Sequence, residues 1–182
     1  INTLFQDFES FFNSTKRNFL RDHQKDSDDD TEGILVFQEF KFWLKNWEEL
    51  LSKDEGGVLQ LTFDFYHIFI CRSFISEYLD QMEDFPLFLS YTLNTMRKHS
   101  FALLKSFLKL PPFLIRGAPI LTSHQLLYAC LALYDYLHWF DHSDRQKVLN
   151  ICTRVYWHLN NIGEKMNEAT DNVGKIIKSL ID

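Results

Sequence analysis

The stretch LQLTFDFYHIFICRSFISEYL, residues 59–79, decides the fold of this chain. As a helix it would be about 30 Å long, with apolar side chains on almost every side. A helix of that kind lies at the centre of a large domain or in a membrane. Asp64, His67 and Arg72 interrupt the stretch, and membrane-spanning segments tolerate such residues poorly. We therefore expect the central buried helix of an all-α domain without a membrane span.

The composition supports this fold class and argues against one class of partner. The 182 residues include only 6 glycines and 4 prolines, which disfavours a turn-rich β architecture. The chain carries 25 acidic and 19 basic residues, for a net charge of −6. Nucleic-acid-binding domains need a basic stripe, and none is evident along the sequence. We expect no direct contact between this chain and nucleic acid.

The periodicity of apolar residues predicts about seven helices, with two largely buried central helices wrapped by amphipathic ones. The predicted helices are residues 4–19, 34–51, 59–79, 86–108 with a break near 99, 126–140 after an N-cap at Ser123, 144–162 and 166–180. We predict an acidic loop at residues 23–33 and a proline-rich apolar loop at residues 110–119. Residues 1–182 form a single domain in this interpretation. Because the sequence has no initiator methionine, we expect it to be part of a longer chain.

Motifs that hold cofactors or perform catalysis are absent from the sequence. It contains no GxGxxG, no phosphate-binding glycine loop, no HExxH and no CxxC. Asp28, Asp29 and Glu32 have the DDxxE form with which helical isoprenoid enzymes hold magnesium, but they lie in a polar stretch. His138 and His142 have metal-ligand spacing without a convincing third ligand. We predict a solvated acidic loop, no metal site and no enzymatic activity.

The polar residues of the central stretch have two interpretations. Buried charges must be paired, so Arg72 or His67 would be satisfied by Asp64, Glu77 or Asp135 in an internal network. Alternatively, they line a pocket between the two core helices that recognises a small polar effector. The residues of that candidate effector site are Asp64, His67, Arg72, Tyr134 and His138.

The three cysteines each lie in an apolar helical run. Cys71, Cys130 and Cys152 have no paired spacing, which argues against a disulfide framework and for a reducing compartment. Their apolar neighbours should raise the thiol pKa values, so we expect inert core packing.

Three stretches together resemble the regulatory domain, or middle homology region, of fungal zinc-cluster transcription factors. A tryptophan helix, FKFWLKNWEELL, precedes a core helix of the L-x-L-x-aromatic form at Leu59, Leu61, Phe63 and Tyr66. A later apolar helix is followed by a pattern of alanine, isoleucine and leucine at Ala169, Ile176 and Leu180. The resemblance covers about 150 residues, and the six-cysteine DNA-binding cluster of the family is absent.

This resemblance implies a nuclear, ligand-sensing regulator of transcription. Its partner would be a small-molecule effector or a co-regulator protein, and zinc would be bound only by the DNA-binding cluster outside this segment. Homodimerisation of the full-length protein is compatible with the family. Two rival interpretations remain open: a helical protein–protein scaffold without a small-molecule pocket, and a magnesium-dependent isoprenoid enzyme supported only by the DDxxE pattern.

Overall fold

The protein is all-α, as predicted, in a computed structural model that describes residues 38–53, 56–79, 87–117, 119–162 and 168–181. Seven α-helices occupy these ranges: α1 (Gln38–Leu51), α2 (Gly57–Leu79), α3 (Leu87–Phe107), α4 (Pro112–Gly117), α5 (Pro119–Asp135), α6 (His142–Ile162) and α7 (Glu168–Ile181). The predicted helix at 4–19, the acidic loop at 23–33 and the DDxxE residues lie outside the described residues. None of the described helices has the length and apolar content needed to cross a membrane.

The two helices predicted to be central do lie in the core, and α3 joins them there. α2 and α3 share the most extensive contact between any two described helices, and α5 packs against both. The apolar side of α3 is buried through Leu89, Met96, Leu103 and Phe107. Thr92, Thr95 and Ser100 are buried as well. Because these buried positions carry polar residues, the sequence of α3 does not look like that of a core helix. The Thr95 hydroxyl donates to the Tyr91 carbonyl of its own helix at 2.7 Å, whereas the Ser100 hydroxyl has no hydrogen-bond partner among the described residues.

The predicted break near His99 is wrong, because α3 runs without interruption from Leu87 to Phe107. His99 lies in the middle of this helix and faces α2, where its Nδ1 atom is 2.7 Å from Oδ1 of Asp64. A polar residue that suggested a helix end is therefore part of a helix–helix contact.

The stretch at 110–119 is largely helical instead of the predicted loop. Pro112 begins the short helix α4, and Pro119 begins α5. Proline is tolerated in the first turn of a helix, where its missing N–H has no partner to lose. Because α5 starts at Pro119, Ser123 lies inside the helix, buried, and is not its N-cap.

The end of α5 also differs from the prediction. The helix ends at Asp135, and a 3-10 turn at Leu137–Trp139 leads to α6. The carboxylate of Asp141 accepts a hydrogen bond of 2.7 Å from the backbone N–H of Asp144, which caps the first turn of α6. His138 therefore lies in a turn between two helices, and His142 is the first residue of α6.

Candidate functional site

The polar residues of α2 are held by side chains of the protein itself. Asp64 is only 2% exposed. Its carboxylate accepts hydrogen bonds from Nε2 of Gln60 at 3.2 Å and from His99 at 2.7 Å. Burial of a carboxylate is tolerable when its oxygens are satisfied in this way. Asp64 thus links α2 to α3 through its hydrogen bond with His99.

His67 belongs to a stack of rings on the same side of α2. Its Nδ1–H donates to the Phe63 carbonyl at 2.9 Å. Its ring lies 3.9 Å from the ring of His99 and 4.2 Å from that of Phe40, measured between centroids. Burial, and secondly the proximity of His99, lower the pKa of His67 to about 3. His67 is therefore neutral near pH 7 and offers no charge to a ligand.

Arg72 forms the ion pair between core helices that the sequence suggested. Its guanidinium contacts the Asp135 carboxylate at the end of α5. The guanidinium carbon also lies 4.9 Å from the centre of the Tyr128 ring, a cation–π contact. Burial raises the pKa of Tyr128. Arg72 pairs with Asp135 and not with Asp64, so the polar residues of α2 form two separate networks.

The five candidate effector residues differ in their exposure and in their contacts. Tyr134 and His138 are exposed, whereas Asp64 and His67 are buried and closed off by their partners. The His138 carbonyl accepts a hydrogen bond of 2.9 Å from Nη2 of Arg145, which makes its backbone part of the turn before α6. These contacts favour the internal-network interpretation of the α2 residues over the effector pocket.

A different feature, a groove between α3 and α6, has the form of a binding site. It encloses about 830 Å³, and we call it the cationic groove. Its walls are formed by Asn94, Arg97, Lys98, Phe101, Ala102 and Lys105 of α3, and by Asp144, Lys147, Asn150, Ile151 and Arg154 of α6. Five of these eleven side chains are cationic and one is anionic. The groove is thus a basic region on a protein with a net charge of −6.

The two walls of the cationic groove run in the same direction. Arg97 forms an ion pair with Asp144 near the start of α6. Further along both helices, the rings of Phe107 and His158 are 5.4 Å apart. Lys98 and Lys147 therefore lie towards one end of the groove, and Lys105 and Arg154 towards the other.

The cations of the groove differ in whether a carboxylate of the protein contacts them. Asp144 contacts both Arg97 and Lys147, the latter at 2.7 Å. Lys105 lies 5.8 Å from the centre of the Phe101 ring. Among the described residues, Lys98 and Arg154 contact no carboxylate. One carboxylate therefore serves two of the five cations, and a surplus of positive charge remains for a ligand.

The cationic groove was not predicted from the sequence, although the spacing of its cations is present there. Lys98 and Lys105 are seven residues apart, as are Lys147 and Arg154, and this spacing places each pair on one side of its helix. The two pairs are separated by more than forty residues, so no basic stripe is evident along the chain. The sequence alone does not show that α3 and α6 are neighbours.

The described residues give no support to a metal site. No three histidine, cysteine, aspartate or glutamate side chains in the described ranges come together as a metal ion would require. His138 and His142, which have the helical spacing of a ligand pair, belong to different elements, the 3-10 turn and α6. His138 and His142 are therefore not one turn apart on a single helix.

The cysteines are buried, free thiols, and two of them interact. Burial raises the pKa of Cys71. A hydrogen bond between Cys130 and Cys152 raises the pKa of Cys130 and lowers the pKa of Cys152, the latter against the effect of burial. The expectation of raised pKa values therefore fails for Cys152, because the neighbouring thiol can donate to its sulfur.

Two curated relatives match this chain over its whole length. It is 59% identical over 182 residues to uracil catabolism protein 2 of Saccharomyces cerevisiae. It is 53% identical over 183 residues to the protein of the same name from Lachancea kluyveri. The chain spans 23% and 25% of these relatives, about a quarter of their length. No family model matches the chain, and no solved structure matches it.

Proposed function

We propose that this chain is a non-catalytic regulatory domain within a larger regulator of uracil catabolism. The observation that carries the proposal is the 59% identity to uracil catabolism protein 2 along the entire chain. Identity at that level supports a shared fold and a shared role for this quarter of the longer protein. The resemblance of α1, α2 and α7 to the regulatory domain of zinc-cluster factors supports a nuclear regulator of transcription, with zinc and DNA bound elsewhere in the protein.

The geometry supports regulation through binding at the surface more than through a buried effector. The polar residues of α2 are occupied by His99, Gln60 and Asp135. The cationic groove is concave and falls within the usual range of ligand sites, about 300–1,000 Å³. Occupation of the groove would shift the population between an active and a silent arrangement of the larger protein.

A helical scaffold without a small-molecule site is the second candidate. The closed network on α2 favours it, because no buried ligand is then required. The two candidates differ in their response to conditions: a regulatory domain changes the output of the larger protein, whereas a scaffold only holds partners together. The isoprenoid-enzyme interpretation rests on Asp28, Asp29 and Glu32 alone.

A domain transplant tests the proposed function. In Lachancea kluyveri, the matching quarter of uracil catabolism protein 2 is replaced by this chain, and growth on uracil as nitrogen source and the uracil-induced transcripts are measured. We expect both to resemble the unmodified strain. A matched strain in which a helical domain of unrelated sequence fills the same place should lose the response. A chimera that is present at normal levels but gives no uracil response would contradict the proposal.

A second measurement addresses the absence of catalysis. Purified chain is incubated with uracil, and the uracil concentration is followed by its ultraviolet absorbance. We expect no consumption beyond that of a heat-denatured sample. Turnover that depends on the folded chain would overturn the non-catalytic assignment.

A further inference from the structure

We infer that the cationic groove binds an acidic peptide segment of a partner protein, with carboxylates about 10 Å apart and apolar side chains between them. This inference rests on the proposed function, since it names the class of partner through which the regulatory domain would act. The charge of the groove, the spacing of its cations and its apolar lining residues each support it.

The charge of the groove calls for an anionic ligand. Lys98 and Arg154 are exposed and contact no carboxylate among the described residues. Like charges held near one another on two packed helices repel, and a bound anion removes that repulsion. The negative charge of the rest of the chain makes this concentration of cations a local feature.

The spacing of the cations calls for an elongated ligand. Lys98 and Lys105 are separated by seven residues of helix, about 10 Å along the axis. Lys147 and Arg154 repeat the same separation on the other wall. An extended peptide advances about 3.3 Å per residue and its side chains alternate between two sides, so carboxylates three residues apart would match Lys98 on one wall and Arg154 at the other end of the opposite wall.

The floor of the groove calls for apolar groups between those carboxylates. Phe101 and Ala102 of α3 and Ile151 of α6 lie among the lining residues. Asn94 and Asn150 also line it and can exchange hydrogen bonds with a peptide backbone. A peptide that combines acidic and apolar residues satisfies all three kinds of side chain at once.

Two other anions fit the groove less well. A single phosphate group needs donors that converge on one point, whereas these cations are distributed towards two ends. A nucleic acid is bound through many phosphate contacts, and its whole backbone is repelled by a protein with a net charge of −6. Both remain outcomes of the experiment.

The experiment measures binding of a fluorescein-labelled peptide, Gly-Asp-Leu-Phe-Asp-Leu-Phe-Asp-Gly, to the full 182-residue chain by fluorescence anisotropy. Its twin carries asparagine in place of each aspartate. We expect the aspartate peptide to bind at least about tenfold more tightly than its twin, and its affinity to fall as salt is raised. Equal affinity of the two peptides would overturn the inference.

Variants locate the binding. In Lys98→Gln/Arg154→Gln the affinity should fall by about tenfold or more, because the unpaired cations at both ends are lost. The control, Lys109→Gln/Lys178→Gln, removes the same charge from exposed positions outside the groove and should change affinity by less than about twofold. Equal losses in the two doubles would overturn the inference in favour of general electrostatic attraction. Unfolding temperatures equal to that of the unmodified chain would establish that both double variants are folded.

Competition identifies other occupants. Displacement of the peptide by inorganic phosphate at millimolar concentration, or tighter binding of a single-stranded oligonucleotide, would overturn the assignment to a peptide. A large gain in affinity on Asp28→Asn/Asp29→Asn/Asp30→Asn would identify the acidic stretch of this chain as the occupant and overturn the assignment to a partner. Failure of all peptide binding alongside a successful domain transplant would refute this inference and leave the proposed function standing.

Discussion

The Nδ1 atom of His99 lies 2.7 Å from Oδ1 of Asp64, and this contact joins α3 to α2 inside the core. The contact explains two features of the chain at once: a carboxylate in an apolar helix, and a histidine in the middle of another helix. It also removes Asp64 from the set of groups that could bind an effector. A residue that suggested a ligand site instead holds two helices together.

Removal of the Asp64 carboxylate should therefore destabilise the protein. Breaking a buried pair leaves its partner uncompensated, so Asp64→Ala should lower the free energy of unfolding by about 3 kcal/mol or more. Asp135→Ala is the matched control, because its side chain, paired with Arg72, is 40% exposed; it should cost less than about 1 kcal/mol. Urea denaturation measures both values. Equal costs would contradict the structural role assigned to Asp64.

The free energy of unfolding should decrease as the pH is lowered, because His67 is neutral in the folded protein. The pKa of His67 is about 3 in the folded chain and 6.5 when unperturbed, so between these values the unfolded state binds a proton that the native state does not. The contribution of a neutral His67 is fully present above pH 6.5 and is lost as the pH falls from 6.5 towards 3. From pH 7.5 to 4.5 we expect a loss of about 2–3 kcal/mol.

The variant His67→Gln separates this effect from the titration of carboxylates. Glutamine does not titrate, so the variant should show a flatter dependence of unfolding free energy on pH over the same interval. Chemical denaturation at several pH values provides the comparison. An unchanged slope would show that other groups cause the loss of stability at low pH.

The thiols should react slowly in the native state because all three are buried, and Cys152 should be the most reactive of them. Its pKa is lowered by the hydrogen bond from Cys130, whereas burial raises the pKa of Cys71. Pulsed alkylation followed by mass spectrometry would detect Cys152 first. Cys130→Ala removes the donor and should slow the alkylation of Cys152; a faster reaction in this variant would argue against the hydrogen bond.

The sequence predicted what depends on local pattern and missed what depends on which helices are neighbours. The apolar circumference of α2 indicated a core helix, and the structure places it there. Asp135 was one of three acidic residues expected to pair with Arg72 or His67, and it pairs with Arg72. The partner of Asp64 was not foreseen, because His99 lies 35 residues further along the chain and had suggested a helix break.

The errors around the prolines have a local cause. Pro112 and Pro119 begin α4 and α5, since proline is tolerated in the first turn of a helix, whereas the cluster of prolines in the sequence had suggested a loop. The cationic groove, in contrast, depends on two helices that are distant in sequence. The cations of each wall are regularly spaced, but this spacing indicates a binding site only when α3 and α6 are known to be neighbours. The signal in the sequence is a pair of cations seven residues apart on each of two predicted helices.

Under the proposed function, regulation depends on the cationic groove and not on the polar residues of α2. The most direct test introduces Lys98→Gln/Arg154→Gln into the transplanted domain of uracil catabolism protein 2 and measures the uracil-induced transcripts, with Lys109→Gln/Lys178→Gln as the control. We predict that the groove double loses the response at a normal protein level while the control retains it. An intact response in the groove double would contradict the claim.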